Sequence, residues 1–127
     1  MDRCPLCNLE RPGEVILYKD DRVLVVETKN KKGHKERIMV VWREHRRELN
    51  EEEKSYALNK LIEVSKRVFS YTKFFEIYND KLSSIMEHWH VIAADINPDA
   101  DDFLQVYLQT PRDLYSIDGK LIKHIEV

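Results

Sequence analysis

The sequence predicts a single α+β domain, in which an antiparallel sheet of about five strands carries one long helix. Two observations favour this class. Short apolar runs rich in β-branched residues alternate with polar turns, and one longer stretch repeats its apolar residues at helical spacing. A chain of 127 residues can bury one core but is too short for two. We therefore expect one domain over residues 1–127, with a core at about 4–95 and a variable C-terminal tail at about 96–127.

Three strands are predicted before the helix. Residues 15–18 and 23–28 flank a polar turn and are expected to form a hairpin. Residues 37–42 form the third run, which is apolar enough for a strand buried on both faces.

The helix has a clear start. Asn50 and Glu53 form a capping-box pattern, and Glu51 and Glu52 suit the positive end of the helix dipole. Apolar and small residues then recur at spacings of three and four as far as about residue 71, which predicts one buried face: Ala57, Leu58, Leu61, Ile62, Ser65, Val68 and Phe69.

Two further strands are expected at residues 74–78 and 85–93. Residues 103–109 fit either a short helix or a strand. Near the end of the chain, Asp118 and Gly119 favour a tight turn and so a terminal hairpin between residues 115–117 and 120–122.

Composition excludes several function classes. The net charge of −2 argues against nucleic acid as a partner, because domains that bind it are usually basic. No run of about 18 apolar residues is present and the N-terminus lacks a signal-peptide pattern, so we expect a cytoplasmic protein without a membrane partner. The three glycines are scattered, which excludes a glycine-rich phosphate loop.

The two cysteines, Cys4 and Cys7, form a C-x-x-C pair. Such a pair can bind a metal, exchange thiols with disulfides, or have no special role. Exchange usually places the first cysteine at a helix N-terminus, whereas here turn residues follow. A metal is therefore favoured, and a structural zinc site would need two more ligands from Cys or His.

Three histidines are candidates for those ligands or for catalysis. His45 follows the predicted strand 37–42. His88 and His90 stand two apart on a predicted strand, so both side chains project from one face and that of Trp89 from the other. They could share a metal, provide a nucleophile, or simply satisfy backbone carbonyls at the edge of the core.

The motif order resembles the histidine-triad superfamily, and in detail its galactose-1-phosphate uridylyltransferase branch. The motifs are the Cys4 and Cys7 pair, the stretch 33–40 leading to His45, and His88-Trp89-His90. The resemblance covers residues 4 to about 95. It implies a histidine-triad-like fold, a homodimer, a nucleotide or nucleotide-sugar-like ligand, and hydrolase or nucleotidyltransferase chemistry through a nucleotidyl-histidine.

The resemblance permits two registers for the triad. In one, Met86, His88 and His90 fill the three places and His88 is the nucleophile. In the other, His88, His90 and Ile92 fill them, His90 is the nucleophile and His88 binds zinc. We favour the second register because it completes a closed zinc site of the Cys₂His₂ type. Its ligands are Cys4, Cys7, His45 and His88.

Ile92 departs from the family pattern, because isoleucine cannot donate a hydrogen bond to a phosphate or a leaving group. The alternative function is accordingly a nucleotide-binding or protein-interaction module that retains only the structural zinc. A thiol oxidoreductase is the third and weakest hypothesis. Candidate phosphate-binding residues lie in the loop before the histidines: Asn79, Ser83 and Ser84.

Overall fold

The computed structural model describes residues 5–7, 9–10, 12–29, 31, 34–78, 88–96 and 111–125. A short 3-10 helix at Pro5–Cys7 precedes the sheet. The described residues contain one α-helix, α1 (Glu51–Val68). The strands are β1 (Ile16–Lys19), β2 (Val23–Glu27), β3 (Arg37–Trp42), β4 (Phe74–Tyr78), β5 (His90–Asp95), β6 (Arg112–Ser116) and β7 (Leu121–Ile125).

All seven strands form one antiparallel sheet in the order β1-β2-β3-β5-β4-β6-β7. Helix α1 packs against β2, β3 and β5. Because side chains alternate across a strand, one sheet face supplies Val40, Ile77 and Val91 to a core shared with the helix residues Ala57 and Leu61. The opposite face carries a second apolar cluster, formed with the N-terminal segment: Leu6, Leu9, Leu24, Val26 and Val41.

The predicted fold class is wrong. In the part of the chain that the structure describes, the fold is mainly β, with a seven-stranded sheet and a single α-helix, instead of an α+β fold of the histidine-triad type with about five strands and a variable tail. The difference comes from β6 and β7, which add to the sheet beside β4. Pairing with β6 satisfies backbone groups of β4 that a five-stranded sheet would leave at its edge.

Two contacts attach β6 to β4. The rings of Phe75 and Tyr115 stack with their centroids 5.5 Å apart, on the side of the sheet that faces the helix. On the other side, the guanidinium of Arg112 lies 2.5 Å from the carboxylate of Glu76, and both side chains are buried. The β6–β7 hairpin is therefore part of the fold.

Several local predictions are confirmed. Strands β3 and β4 have the predicted bounds. At the start of α1, the Asn50 side chain accepts from the Glu53 amide at 2.8 Å, and the Glu53 carboxylate accepts from the Asn50 amide at 2.9 Å. The described helix is not long and apolar enough to cross a membrane.

Strand β5 begins later than predicted, at His90, so His88 and Trp89 precede it. The backbone around Trp89 is bonded to the loop after β3: its amide donates to the Arg46 carbonyl at 2.7 Å, and its carbonyl accepts from the Trp42 amide at 3.3 Å. These bonds hold the segment beside His45. Residues 85–87 lie outside the described residues.

Candidate metal centre and histidine site

Three side chains that are distant in the sequence meet at one end of the sheet. The Cys7 sulfur lies 3.0 Å from Nδ1 of His45 and 3.4 Å from Nδ1 of His88. All three atoms lie within 4.8 Å of one another, so the group could hold a metal ion. Cys7 ends the 3-10 helix, His45 follows β3, and His88 lies just before β5. The centre therefore joins three separate parts of the chain.

The spacing of these atoms is similar to that of two ligands on one metal ion, and zinc serves as the example. With Zn–S about 2.3 Å and Zn–N about 2.0 Å in a tetrahedron, a sulfur and a nitrogen ligand stand about 3.5 Å apart. The two sulfur–nitrogen distances, 3.0 and 3.4 Å, are close to that value. The fourth predicted ligand, Cys4, lies outside the described residues.

The His88 ring is oriented for metal binding by the backbone. Its side chain is fully buried, and Nε2 lies 2.5 Å from the Trp42 carbonyl oxygen. A carbonyl can only accept, so Nε2 carries the proton and Nδ1 offers its lone pair towards Cys7. Such a contact to the second ring nitrogen is typical of metal-binding histidines. The exposed His45 ring meets His88 edge-on, with centroids 5.1 Å apart.

His90 is held in a defined tautomer and stands apart from the metal group. Its Nδ1 lies 2.8 Å from the His88 carbonyl oxygen and must donate to it. In the neutral ring, the lone pair of His90 therefore lies on Nε2, the second nitrogen of a half-buried ring. His90 pairs with Val41 on the sheet face away from α1. Of the two histidines on this segment, His88 therefore belongs to the group that could hold a metal ion.

Ile92 lies on the same sheet face, two residues further along β5. It is 2% exposed and packs against Tyr78, Ala94 and Met39. An apolar, buried side chain therefore occupies the position that the resemblance assigns to the third member of a triad. It offers no hydrogen-bond donor to a ligand beside His90.

The predicted phosphate-binding residues Asn79, Ser83 and Ser84 lie outside the described residues, as does Met86. The two remaining histidines have other contacts. Nδ1 of the buried His34 donates to the Asp95 carbonyl at 2.9 Å. His124 is half-exposed and contacts the Asp113 carboxylate across the β6–β7 pair.

Sequence reasoning missed a buried polar cluster on the His90 side of the sheet. Arg37 donates to the Tyr78 hydroxyl at 3.3 Å, and Arg112 pairs with Glu76. A signal was present, because Arg37 and Glu76 stand on strands that are otherwise almost entirely apolar. Buried charges need partners, so each should have prompted a search for one on a neighbouring strand.

No family model matches the chain, and no curated protein matches it at a significant level.

Proposed function

We propose that this protein is a nucleotidyl hydrolase or transferase in which His90 becomes covalently nucleotidylated. The observation that carries the proposal is the hydrogen bond from Nδ1 of His90 to the His88 carbonyl, which leaves Nε2 with a lone pair. A relationship to the histidine-triad superfamily is proposed on the order of the motifs alone, since the fold does not support it. The ligand would be a nucleotide or a nucleotide-sugar-like molecule.

The reaction would take place in two displacements. Nε2 of His90 attacks the α-phosphorus of the nucleotide, the new N–P bond forms, and the bond to the leaving group breaks with its electron pair. Water or a second phosphate then attacks the same phosphorus, and the N–P bond breaks to restore neutral imidazole. Covalent catalysis of this kind divides one difficult substitution into two easier ones.

We propose zinc as the metal of the Cys7, His45 and His88 group, with Cys4 as its fourth ligand. A closed Cys₂His₂ site has no open position for substrate, so this zinc would stabilise the fold without entering the reaction. It would tie the 3-10 helix to the segment that ends at His90. A thiol oxidoreductase is disfavoured, because turn residues follow the C-x-x-C pair in the sequence where such enzymes usually begin a helix.

Ile92 favours a second candidate function. This buried apolar side chain stands in the position proposed for the third member of the triad. The leaving group of a nucleotide would therefore lack one hydrogen-bond donor. The alternative is a nucleotide-binding or protein-interaction module that keeps the metal centre but does not turn over. It predicts measurable nucleotide affinity with no covalent intermediate.

A homodimer is part of the proposal, and one feature of the sheet supports it. Strand β7 stands at the end of the strand order, and its Leu121 and Ile122 are 57% and 49% exposed. An exposed apolar edge strand is a ready surface for pairing with another chain. Sedimentation equilibrium would distinguish a dimer from a monomer.

Intact-mass spectrometry tests the covalent step. The protein is mixed with a nucleoside diphosphate sugar or a dinucleoside polyphosphate, quenched, and compared with the variants His90→Ala and His124→Ala. We expect a mass increase of one nucleotidyl group, which is a nucleoside monophosphate less one water, in the wild type and in His124→Ala, and none in His90→Ala. An adduct that persists in His90→Ala would refute the assignment of the nucleophile. Nucleotide binding without any adduct would favour the second candidate function.

A further inference from the structure

The loop between β3 and α1 carries His45, and packing alone does not hold that histidine in place. Its side chain is exposed, and it contacts Cys7 and His88, the other two members of the metal group. An exposed side chain has few buried contacts to restrain it, so its position depends on the backbone of its loop. The anchors of this loop therefore decide whether His45 stands where a metal needs it.

Arg46, the next residue, anchors the loop to the segment before β5. Its carbonyl accepts from the Trp89 amide at 2.7 Å. Trp89 lies between His88 and His90 in the sequence. The bond therefore joins the loop of His45 to the segment that carries the other two histidines.

The side chain of Arg46 anchors the same residue to the first turn of α1. Its guanidinium donates to Oε2 of Glu53 at 2.6 Å, and the Glu53 side chain is 14% exposed. Arg46 also lies 3.8 Å from the carboxylate of Glu44, but that distance is too long for a hydrogen bond and the Glu44 side chain is 72% exposed. Glu53 is therefore the partner that holds the Arg46 side chain in one geometry.

Glu53 is itself fixed by the start of the helix. Its other oxygen, Oε1, accepts from the Asn50 amide at 2.9 Å, which is one half of the capping box. The hydrogen bonds from Arg46 and from the Asn50 amide lower the pKa of the Glu53 carboxyl, so the carboxylate is favoured. The two oxygens of Glu53 thus contact different parts of the chain, the cap of a helix that packs on the sheet and the loop of the candidate metal centre.

We propose that Glu53 is a positioning residue of the metal centre, which acts through Arg46. The helix holds the carboxylate, the carboxylate holds the guanidinium, and the Arg46 backbone carries both the neighbouring His45 and the bond to the Trp89 amide. The inference rests on the metal centre of the proposed function and adds a residue that is not a ligand. Groups that only orient metal ligands contribute about 10- to 100-fold to metal affinity.

Two matched variants in the first turn of α1 test the proposal. Glu53→Gln can still accept from the Asn50 amide, as glutamine does in a capping box, but its neutral amide no longer pairs with Arg46. Glu52→Gln removes the neighbouring carboxylate and with it the bonds of 2.8 and 3.1 Å from Arg22, which lies outside the metal loop. Both variants lose one negative charge at the positive end of the helix dipole, so they differ in the partner that is lost.

Zinc affinity is measured in competition with a chromophoric chelator. We expect Glu53→Gln to weaken zinc binding about tenfold and Glu52→Gln to change it by less than about twofold. In the cobalt(II)-loaded protein, the visible absorption bands depend on the ligands and on their geometry. These bands should shift in Glu53→Gln and match those of the wild type in Glu52→Gln.

A double variant separates positioning from a general loss of helix stability. Arg46→Met keeps the apolar stem of the side chain without its charge and should weaken zinc binding about as much as Glu53→Gln does. In the presence of Arg46→Met, Glu53→Gln should have no further effect on zinc affinity, because the pair is already broken. If Glu53 acted only through the helix cap, the two losses would multiply instead.

The proposal is overturned if the wild type binds zinc and Glu53→Gln binds it as tightly as Glu52→Gln does, or if the losses multiply in the double variant. If the double variant does not fold, the cobalt(II) spectra decide the question, and bands that are unchanged in Glu53→Gln overturn the proposal. If the wild type binds neither zinc nor cobalt(II), the metal centre of the proposed function is wrong, and the role of Glu53 is refuted with it.

Discussion

His88 connects the metal group to the reactive histidine through its ring and its backbone. Its Nδ1 faces Cys7, its Nε2 donates to the Trp42 carbonyl, and its own carbonyl accepts from His90. Fixing the ring of His88 therefore also limits where its carbonyl can lie. A metal at this centre would orient His90 without touching it.

Removal of one ligand should abolish tight metal binding. Loss of a residue that only orients a ligand costs about 10- to 100-fold in affinity, and loss of a ligand costs at least as much. We expect Cys7→Ser to weaken zinc binding by more than about 100-fold in competition with a chromophoric chelator. His124→Ala, which removes a histidine outside the centre, should bind zinc as the wild type does.

Asp20 is the residue for which the structure predicts a clear dependence of stability on pH. Burial alone raises the pKa of Asp20, but hydrogen bonds from the Tyr56 hydroxyl, the amides of Val23 and Arg22, and the Tyr18 hydroxyl lower it to about 2. The folded state therefore prefers the carboxylate. The stabilisation is complete above the ordinary value of 3.8 and is lost as the pH falls towards 2.

Asp20→Asn should lower the free energy of unfolding at neutral pH by about 1 kcal/mol, since partial solvent exposure weakens these bonds. The difference from the wild type should shrink as the pH falls from 4 to 2, because the wild-type carboxylate is then protonated as well. Urea denaturation at several pH values measures both effects. Asp21→Asn, at the exposed neighbouring position, should change the free energy of unfolding little. If Asp21→Asn lowered it as much as Asp20→Asn does, the hydrogen bonds to Asp20 would not explain the effect.

At the scale of elements, the start of α1 depends on its cap. Asn50→Ala removes the oxygen that accepts from the Glu53 amide and should lower the free energy of unfolding by about 1 kcal/mol. Asn59→Ala, at an exposed position in the same helix, should be neutral or slightly stabilising, because alanine favours helix more than asparagine does. If urea denaturation showed the same loss of unfolding free energy for both variants, the Asn50 cap would not stabilise the helix as proposed.

The β6–β7 turn depends on Gly119. Gly119 has φ +93°, and a Cβ there would lie 3.2 Å from side-chain carbons of both Ile62 and Lys66. Gly13 has a similar φ of +95° but open space around it. Substitution by alanine at either position should cost about 1 kcal/mol of backbone strain.

Gly119→Ala should cost more than Gly13→Ala, because its methyl group also crowds α1. Thermal unfolding of the two variants measures the difference. An equal loss at both glycines would show that the hairpin does not pack against α1 as described.

Helices and strands that are marked by neighbouring residues could be predicted from the sequence. The pairing of those strands in the sheet could not. The cap of α1 and the bounds of β3 and β4 follow from capping residues and apolar runs within a few positions. The terminal hairpin also has a local signal in Asp118 and Gly119. Its pairing with β4 joins residues far apart in the sequence, such as Phe75 and Tyr115, and no local pattern specifies that contact.

In the candidate site, too, residues within a sequence motif could be predicted, and contacts between distant strands could not. Cys7, His45 and His88 were expected from the motif resemblance, and the structure brings them together. Charged partners on separate strands, such as Arg112 and Glu76, become visible only once the register of β4 and β6 is known.

At the scale of the whole molecule, the group of Cys7, His45 and His88 lies where the N-terminal segment meets the sheet. Leu6 and Leu9 of that segment pack against Leu24, Val26 and Val41 on the face away from α1. A metal bound by this group would stabilise the folded state, because the unfolded chain does not hold the three ligands together. Removal of the metal should therefore lower the melting temperature.

Chelation tests this contribution. A chelator in excess should lower the Tm of the wild type by several degrees, and added zinc should restore it, because a metal that binds only the folded state stabilises it. Before any treatment, Cys7→Ser should already have a Tm as low as that of the chelated wild type. Neither the chelator nor added zinc should change it. If the chelator left the Tm of the wild type unchanged, the protein would have no structural metal.

The segment that carries His88 sets the tautomer of His90, and a two-bond proton–nitrogen correlation spectrum of the histidine rings in the zinc-loaded protein observes that tautomer directly. The spectrum is best recorded near pH 8, above the ordinary pKa of histidine, which is about 6.5. We expect His90 to carry its proton on Nδ1 and to have an unprotonated Nε2. A His90 ring with its proton on Nε2 would overturn the assignment of the nucleophile, because that nitrogen could not then attack phosphorus.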